Sequence, residues 1–99
     1  MYRLVVPRDI QGLIRKMHPA LKKKIRASLN IILSDPSSGK ALIDELSGLR
    51  CFRVSSFRII YRIRDAKWID LIAIGPREGI YKATFRHLQK RGLKKDNAK

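Results

Sequence analysis

Between residues 57 and 64 apolar and polar positions alternate. Phe57, Ile59, Tyr61 and Ile63 interleave with Arg58, Ile60, Arg62 and Arg64. Successive side chains of an extended strand point to opposite faces, so this stretch predicts one apolar, aromatic face and one face carrying three arginines. Just before it, Phe52 and Val54 alternate with Cys51, Arg53 and Ser55, which predicts a partner strand joined through a turn at Ser55-Ser56. If the apolar sets of both strands share a core, Arg53, Ser55, Arg58 and Arg62 share the opposite face. Arginine is costly there unless it stays wet or meets an anion.

The rest of the chain reads as a frame for that strand pair. Residues 4–6 predict a short strand that ends at Pro7. Ile10, Leu13, Ile14 and Met17 fall on one stripe of an amphipathic helix, weakened slightly by Gly12 and broken at His18-Pro19. A second helix follows, with Leu21, Ile25, Leu29 and Ile32 facing inward and Lys22, Lys23, Lys24 and Arg26 on or beside the outer face. It stops at Asp35-Pro36, where a loop opens. Residues 40–48 form a connector of mixed character. Asp65-Ala66-Lys67 turns the chain into a nearly continuous apolar run at 68–74, interrupted by Asp70 and stopped by Gly75-Pro76, as expected of a central strand. From Gly79 the spacing of Ile80, Thr84 and Leu88 predicts a short terminal helix that closes near Gly92. The order is β-α-α-β-β-β-α. It predicts an α+β fold with an N-terminal strand, a helical hairpin on a small, antiparallel-rich sheet and a short C-terminal helix. Residues 1–92 form one domain, and 93–99 are expected to be a frayed basic tail.

Charge changes this picture. Twenty-three Lys and Arg against eight Asp and Glu give a formal charge of +15, far more than solubility requires. Such a surplus favours a polyanionic partner. A membrane partner is the weakest candidate, since no apolar run reaches the ~18 residues of a spanning helix. A single cysteine, Cys51, excludes an internal disulfide and fits a reducing cytoplasm. One cysteine and two distant histidines do not make a zinc site, no glycine-rich loop precedes a helix with a following lysine, and the carboxylates are not paired. No metal or cofactor is therefore expected, and His18 and His87 read as surface residues. The remaining candidates are Arg53, Arg58, Arg62, Arg77 and Tyr81. Spacing alone leaves two readings open: a solvated arginine face with a core tyrosine, or an anion site at the end of the sheet.

The runs Leu46-Ser47-Gly48-Leu49, Phe52-Arg53-Val54, Phe57-Arg58-Ile59-Ile60-Tyr61 and Ile74-Gly75-Pro76-Arg77-Glu78-Gly79-Ile80-Tyr81 together resemble the RelE/ParE superfamily of bacterial toxins, over essentially the whole chain. The resemblance implies a RelE-like, microbial ribonuclease-type fold. It also implies metal-free cleavage of messenger RNA in the ribosomal A site, with arrest of translation, and silencing by an acidic or partly disordered antitoxin. Carried over by position, Arg53, Arg58, Arg77 and Tyr81 are the catalytic residues. Arg62, Lys22, Lys23, Lys24, Lys82 and Arg86 are expected to contact RNA. Ser55 stands where some active members have a lysine and Pro76 where others have a histidine, so two possible proton-transfer groups are missing. Two rivals remain: the ParE branch, which poisons DNA gyrase, and a catalytically inactive basic nucleic-acid-binding protein.

The implied chemistry suits these residue types. As the 2′-hydroxyl attacks the adjacent phosphate, charge grows on the phosphorane oxygens, and arginines aimed at them stabilise it. Arginine is too weak an acid to serve as the base. Tyr81 is the base candidate, with a phenolate that neighbouring arginines are expected to favour.

Overall fold

The computed structural model describes the backbone of residues 2–97 and the side chains through Lys90. The described backbone continues the last helix past Gly92, where the sequence closes it, to Asn97, and residues 98–99 of the expected tail lie outside the described residues. The strands are β1 (Arg3–Val5), β2 (Lys40–Ala41), β3 (Arg50–Val54), β4 (Phe57–Arg64) and β5 (Trp68–Pro76), and the helices are α1 (Arg8–Arg15), α2 (Pro19–Ser34) and α3 (Arg77–Asn97). The strands make one sheet in the order β1-β5-β4-β3-β2. β1 runs parallel to β5 and every other pair is antiparallel. The α+β architecture is the one that the sequence predicts, with one additional strand.

Helices α1 and α2 cover one face. Ile10, Ile25, Leu29 and Ile32 meet Val54, Ile59, Tyr61, Ile69, Leu71 and Ile74 in the main core, so the apolar sets of β3 and β4 do share it. Pro19 occupies the first helical turn of α2, and His18 caps it by accepting a hydrogen bond at Nδ1 from the Ala20 amide at 3.1 Å. His18 is thus a structural residue. The opposite face is only partly open. Ile80 of α3 lies on Leu49, Cys51 and Ile60, with Leu42, Leu46, Ile72, Ala73 and Leu88 around them. Ile60, which alternation places among the arginines, is fully buried there.

The lack of alternation in β5 has a cause in register. Ile60 stands opposite Ala73 and Tyr61 opposite Leu71, so Ile72 has no partner on β4. This bulge puts Leu71 and Ile74 on the same face and turns Ile72 and Ala73 toward α3. Both faces of β5 are buried, which is why its sequence is almost continuously apolar.

β2 lies within the stretch that reads as a connector, and two residues are too few to show a period. It is held from outside itself. Arg50 Nη1 donates to the Gly39 carbonyl at 2.6 Å and to that of Ser37 at 3.3 Å. The buried Tyr61 hydroxyl donates to the Pro36 carbonyl and accepts from the Gly39 amide at 3.0 Å. A Cβ at residue 39 would lie 2.6 Å from that hydroxyl, so the close approach requires glycine.

At the far end of β4, Asp70 takes up Arg62 and Arg64. Its carboxylate accepts from Arg64 Nε at 2.8 Å and Nη2 at 3.1 Å, and from Arg62 Nη2 at 3.1 Å. The Arg64 guanidinium lies 5.5 Å over the Trp68 ring. The bonds from Arg64, and then those from Arg62, hold the Asp70 carboxyl below its ordinary value of 3.8 against the opposing effect of burial.

Two substitutions probe the backbone. Gly12 lies inside α1, where a Cβ would meet nothing within 4 Å, and Ala66 sits at φ 51° in the Arg64–Lys67 turn, beside Asp65 at φ 54°. Gly12→Ala and Ala66→Gly are each expected to stabilise the fold by about 0.5–1 kcal/mol, the first through helix propensity and the second by relieving a left-handed alanine. Urea denaturation reads both, and a loss of stability in either contradicts the local geometry. Asp70 generates a pH prediction. Its native value is depressed, so its contribution is present above about pH 4 and is lost as pH falls through the native value. Asp70→Asn should flatten that part of the acid limb. An unchanged acid limb would mean that the two arginines do not hold the carboxylate.

Candidate functional site

The site is built around the Ser55-Ser56 turn. Arg53 and Arg58 are cross-strand partners, as are Arg58 and Gly75, so the turn and the exit of β5 come together. Arg58 Nη1 donates to the Ser55 carbonyl at 3.2 Å and the Phe57 carbonyl at 2.9 Å. The backbone amide of Arg77 donates to the Ser56 carbonyl at 2.8 Å. These bonds fix one arginine by its guanidinium and another by its main chain. After Arg77 the chain passes through Glu78 and Gly79, the latter at φ 88°, before the regular part of α3 begins. That reversal brings Tyr81 back over the sheet, with its hydroxyl 3.3 Å from Cys51 Sγ.

Lys40, Cys51, Arg53, Arg58, Arg77 and Tyr81 line a pocket of about 440 Å³. None of these lining residues is acidic. Arg58 is only 8% exposed, whereas Arg53 and Arg77 are open to solvent. Four cations around one concavity repel one another, and each gains from an anion bound among them. Neutral carbonyls satisfy the Arg58 hydrogen bonds without cancelling its charge. Among the described residues no three His, Cys, Asp or Glu side chains converge as a metal site would require. No described helix is long and apolar enough to cross a membrane.

The four residues singled out as catalytic therefore meet in one place. Lys40 and Cys51 join them unannounced. Cys51 lies two positions from Arg53 on β3, so alternation already puts it on the arginine face. Lys40 reaches the pocket through β2, where it pairs with Cys51. The RNA-contact set, by contrast, is scattered. Arg62 shares the arginine face but sits at its other end, bonded to Asp70. Lys22 lines a separate groove with Arg15, Arg26, Val6, Gln11, Ile14 and Leu29, and Lys23 is exposed on α2. Lys24 Nζ donates to Ser55 Oγ at 3.3 Å, beside the site. Lys82 borders a shallow groove with Glu45, Leu46, Gly79, Tyr81 and Phe85, and Arg86 is exposed further along α3. His87 is half-buried on α3 and does not line the pocket.

The expectation for Tyr81 is reversed in one respect. Its hydroxyl is pushed above the ordinary value of 10.0, first by the hydrogen bond with Cys51 and then by burial, and the Arg58 charge offsets these only in part. In the free protein Tyr81 is thus a neutral hydroxyl rather than a phenolate primed by arginines. Cys51→Ala removes the main cause and leaves Arg58 in place, so the Tyr81 midpoint should fall. Titration of a ring-labelled tyrosine by NMR checks this, and a midpoint that stays or rises would mean that the thiol does not hold the hydroxyl.

A family model described as the ParE-like toxin of type II bacterial toxin-antitoxin systems matches residues 4–84. Several solved structures have a similar fold. A mutant Escherichia coli toxin RelE in the free state superposes with a TM-score of 0.72 at 18% identity, covering 91% of this chain and 96% of that one. The toxin-antitoxin complex RelBE2 of Mycobacterium tuberculosis gives 0.68 at 22% identity, over 77% of this chain and 98% of that one. The archaeal RelE-RelB complex of Pyrococcus horikoshii gives 0.64 at 18% identity, over 78% and 96%. No curated protein matches the chain. With a five-stranded sheet, a helical hairpin on one face and a family match spanning most of its length, the chain belongs to the ParE-like toxins of type II bacterial toxin-antitoxin systems.

Proposed function

We propose that this toxin is a metal-free endoribonuclease that cleaves messenger RNA on the ribosome and so blocks translation in the cytoplasm. The observation that carries the reading is the convergence of Arg53, Arg58, Arg77 and Tyr81 on one pocket without a carboxylate among its lining residues. A phosphodiester seated there would have its non-bridging oxygens among guanidinium groups, whose fork suits phosphate better than a lysine ammonium does. The 2′-oxygen would form a bond to phosphorus as the bond to the 5′-oxygen breaks, with the 2′-hydroxyl proton passing to the Tyr81 phenolate and the departing 5′-oxygen taking its proton from water. The resulting charge is the kind that preorganised arginines stabilise. Arg77 and the exposed Arg53 are assigned to the phosphorane oxygens. Arg58, clamped to the turn, positions the phosphate and shapes the pocket floor.

Tyr81 is assigned to the 2′-hydroxyl. Its raised value means that little phenolate exists at neutral pH, so cleavage by this route should climb about tenfold per pH unit through neutrality. The requirement for a 2′-hydroxyl restricts the reaction to RNA. The proposed protein partner is a cognate antitoxin, acidic or partly disordered, that neutralises the basic surface. The RelE toxins of similar fold have been solved in complexes with RelB.

A second reading, a ParE-like poison of DNA gyrase, draws on the family model and on the absence of a histidine or carboxylate from the pocket lining. Single-turnover cleavage on programmed ribosomes, beside an equilibrium binding assay, separates the two. Arg77→Lys and Tyr81→Phe are expected to slow cleavage by ~10²–10³-fold with little change in binding. Parent-like cleavage by both variants would remove the site from the reaction. Intact messages with breaks accumulating at gyrase would establish the second reading.

A further inference from the structure

We infer that Lys24 is the outer phosphate-binding cation of this site, so that a bound RNA strand leaves the arginine pocket across the Ser55-Ser56 turn toward α2; the inference rests on the RNA-directed reading above. The sequence groups Lys22, Lys23 and Lys24 as one run, but the fold divides it. Residues two apart on a helix are separated by about 200° around its axis. Lys22, with Arg26 one turn later, accordingly lines the groove beside Val6 and Ile14. Lys24 projects the other way and places its ammonium 3.3 Å from Ser55 Oγ. The carbonyl of the same serine accepts the Arg58 guanidinium at 3.2 Å. One residue thus bridges a cation from α2 and a cation from the pocket, and the two lie within about 11 Å of each other by bond geometry.

This arrangement has little to do with stability. The serine is neutral, so the contact forms no ion pair, and turning an exposed ammonium toward Arg58 and Arg77 runs against their repulsion. It becomes favourable when a phosphate chain lies across the turn. Ser55 Oγ engages one of the three ammonium protons, which leaves the others for phosphate oxygens. The turn is also the direct covalent link between β3 and β4 and is fixed by three main-chain carbonyl contacts, so it holds the lysine at a defined distance from the pocket. Lys24 is a positioning residue: it aligns the strand, while the arginines meet the reacting phosphate.

The test uses the full chain and a short single-stranded RNA made uncleavable by 2′-O-methyl groups. Its affinity is measured against salt for the parent, Lys24→Ala, Lys24→Arg, Lys23→Ala and Lys22→Ala, with single-turnover cleavage of the unmodified RNA on programmed ribosomes alongside. Lys24→Ala is expected to weaken binding by ~3–10-fold and to lower the log–log salt slope by about 0.7, the share of one phosphate contact on a single strand. Lys24→Arg should restore both. Against the expectation that all three lysines contact RNA, Lys22 lines a separate groove and Lys23 lines neither that groove nor the pocket, so Lys22→Ala and Lys23→Ala should leave the slope near that of the parent. Lys24→Ala should cost less when Arg77 is already alanine, because both grip one strand. A Lys24→Ala variant that behaves like Lys23→Ala, or an arginine that fails to rescue, overturns the inference. RNA binding with this pattern but no cleavage would sink the ribonuclease reading and leave Lys24 in place. Cleavage indifferent to Lys24 would do the reverse, and a parent that does not bind the RNA would overturn both.

Discussion

The site depends on how an arginine is held by groups that do not neutralise it. β4 carries Arg58 near its start and Arg62 and Arg64 near its end, and the two ends treat the same side chain differently. Arg62 and Arg64 share the Asp70 carboxylate, which offsets one of their two charges. Arg58 Nη1 meets the carbonyls of Ser55 and Phe57, which fix the guanidinium in place, leave its other N–H groups free to donate and leave its charge whole. Because the adjoining Ser56 carbonyl also anchors the Arg77 amide, one tight turn sets the distance between the two arginines. The turn shapes the pocket, and because it offers only neutral carbonyls the charge of Arg58 and Arg77 is left uncancelled there.

The layers on either side give the turn its rigidity. The helical hairpin covers the aliphatic face of β3, β4 and β5, burying Val54, Ile59, Tyr61, Ile69, Leu71 and Ile74, so the strands cannot rotate their arginines inward. α3 covers part of the other face through Ile80, Thr84 and Leu88 and stops short of the arginines. Ile80 and Tyr81 are neighbours with opposite tasks: one is buried against Gly75 and Ile60, and the other is 39% exposed at the pocket wall. The Cys51 thiol joins them to β3, and it sets the state of the tyrosine hydroxyl more strongly than the nearest arginine does.

Much of this was legible in the residues. The alternation through 57–64 assigns Phe57, Ile59, Tyr61 and Ile63 to the core and Arg58 to the other face, because a half-buried strand must obey a period of two. The stripe of Ile80, Thr84 and Leu88 after Gly79 announces α3, whereas the reversal at Gly79 that carries Tyr81 over the sheet shows only in the backbone. What stayed hidden has physical reasons. Lys40 lies on a strand of two residues that is held by the Arg50 and Tyr61 side chains from elsewhere in the chain. The pairing of Arg62 with Asp70 depends on the register between β4 and β5, which the bulge at Ile72 shifts by one. The lysine run on α2 reads as a single basic block, and only the direction of each side chain around the helix shows that Lys24 alone turns to the site.

The central claim is that positive charge at the strand exit is organised to receive a phosphodiester. Titrating the protein with a dinucleoside monophosphate while observing side-chain Nε–Hε signals of the arginines by NMR tests this directly. The account predicts that Arg53, Arg58 and Arg77 shift together and saturate with a common midpoint, while Arg62 and Arg64, held by Asp70, stay still. Shifts that spread evenly over all the arginines, or that centre on Arg15 and Arg26 between α1 and α2, would contradict it.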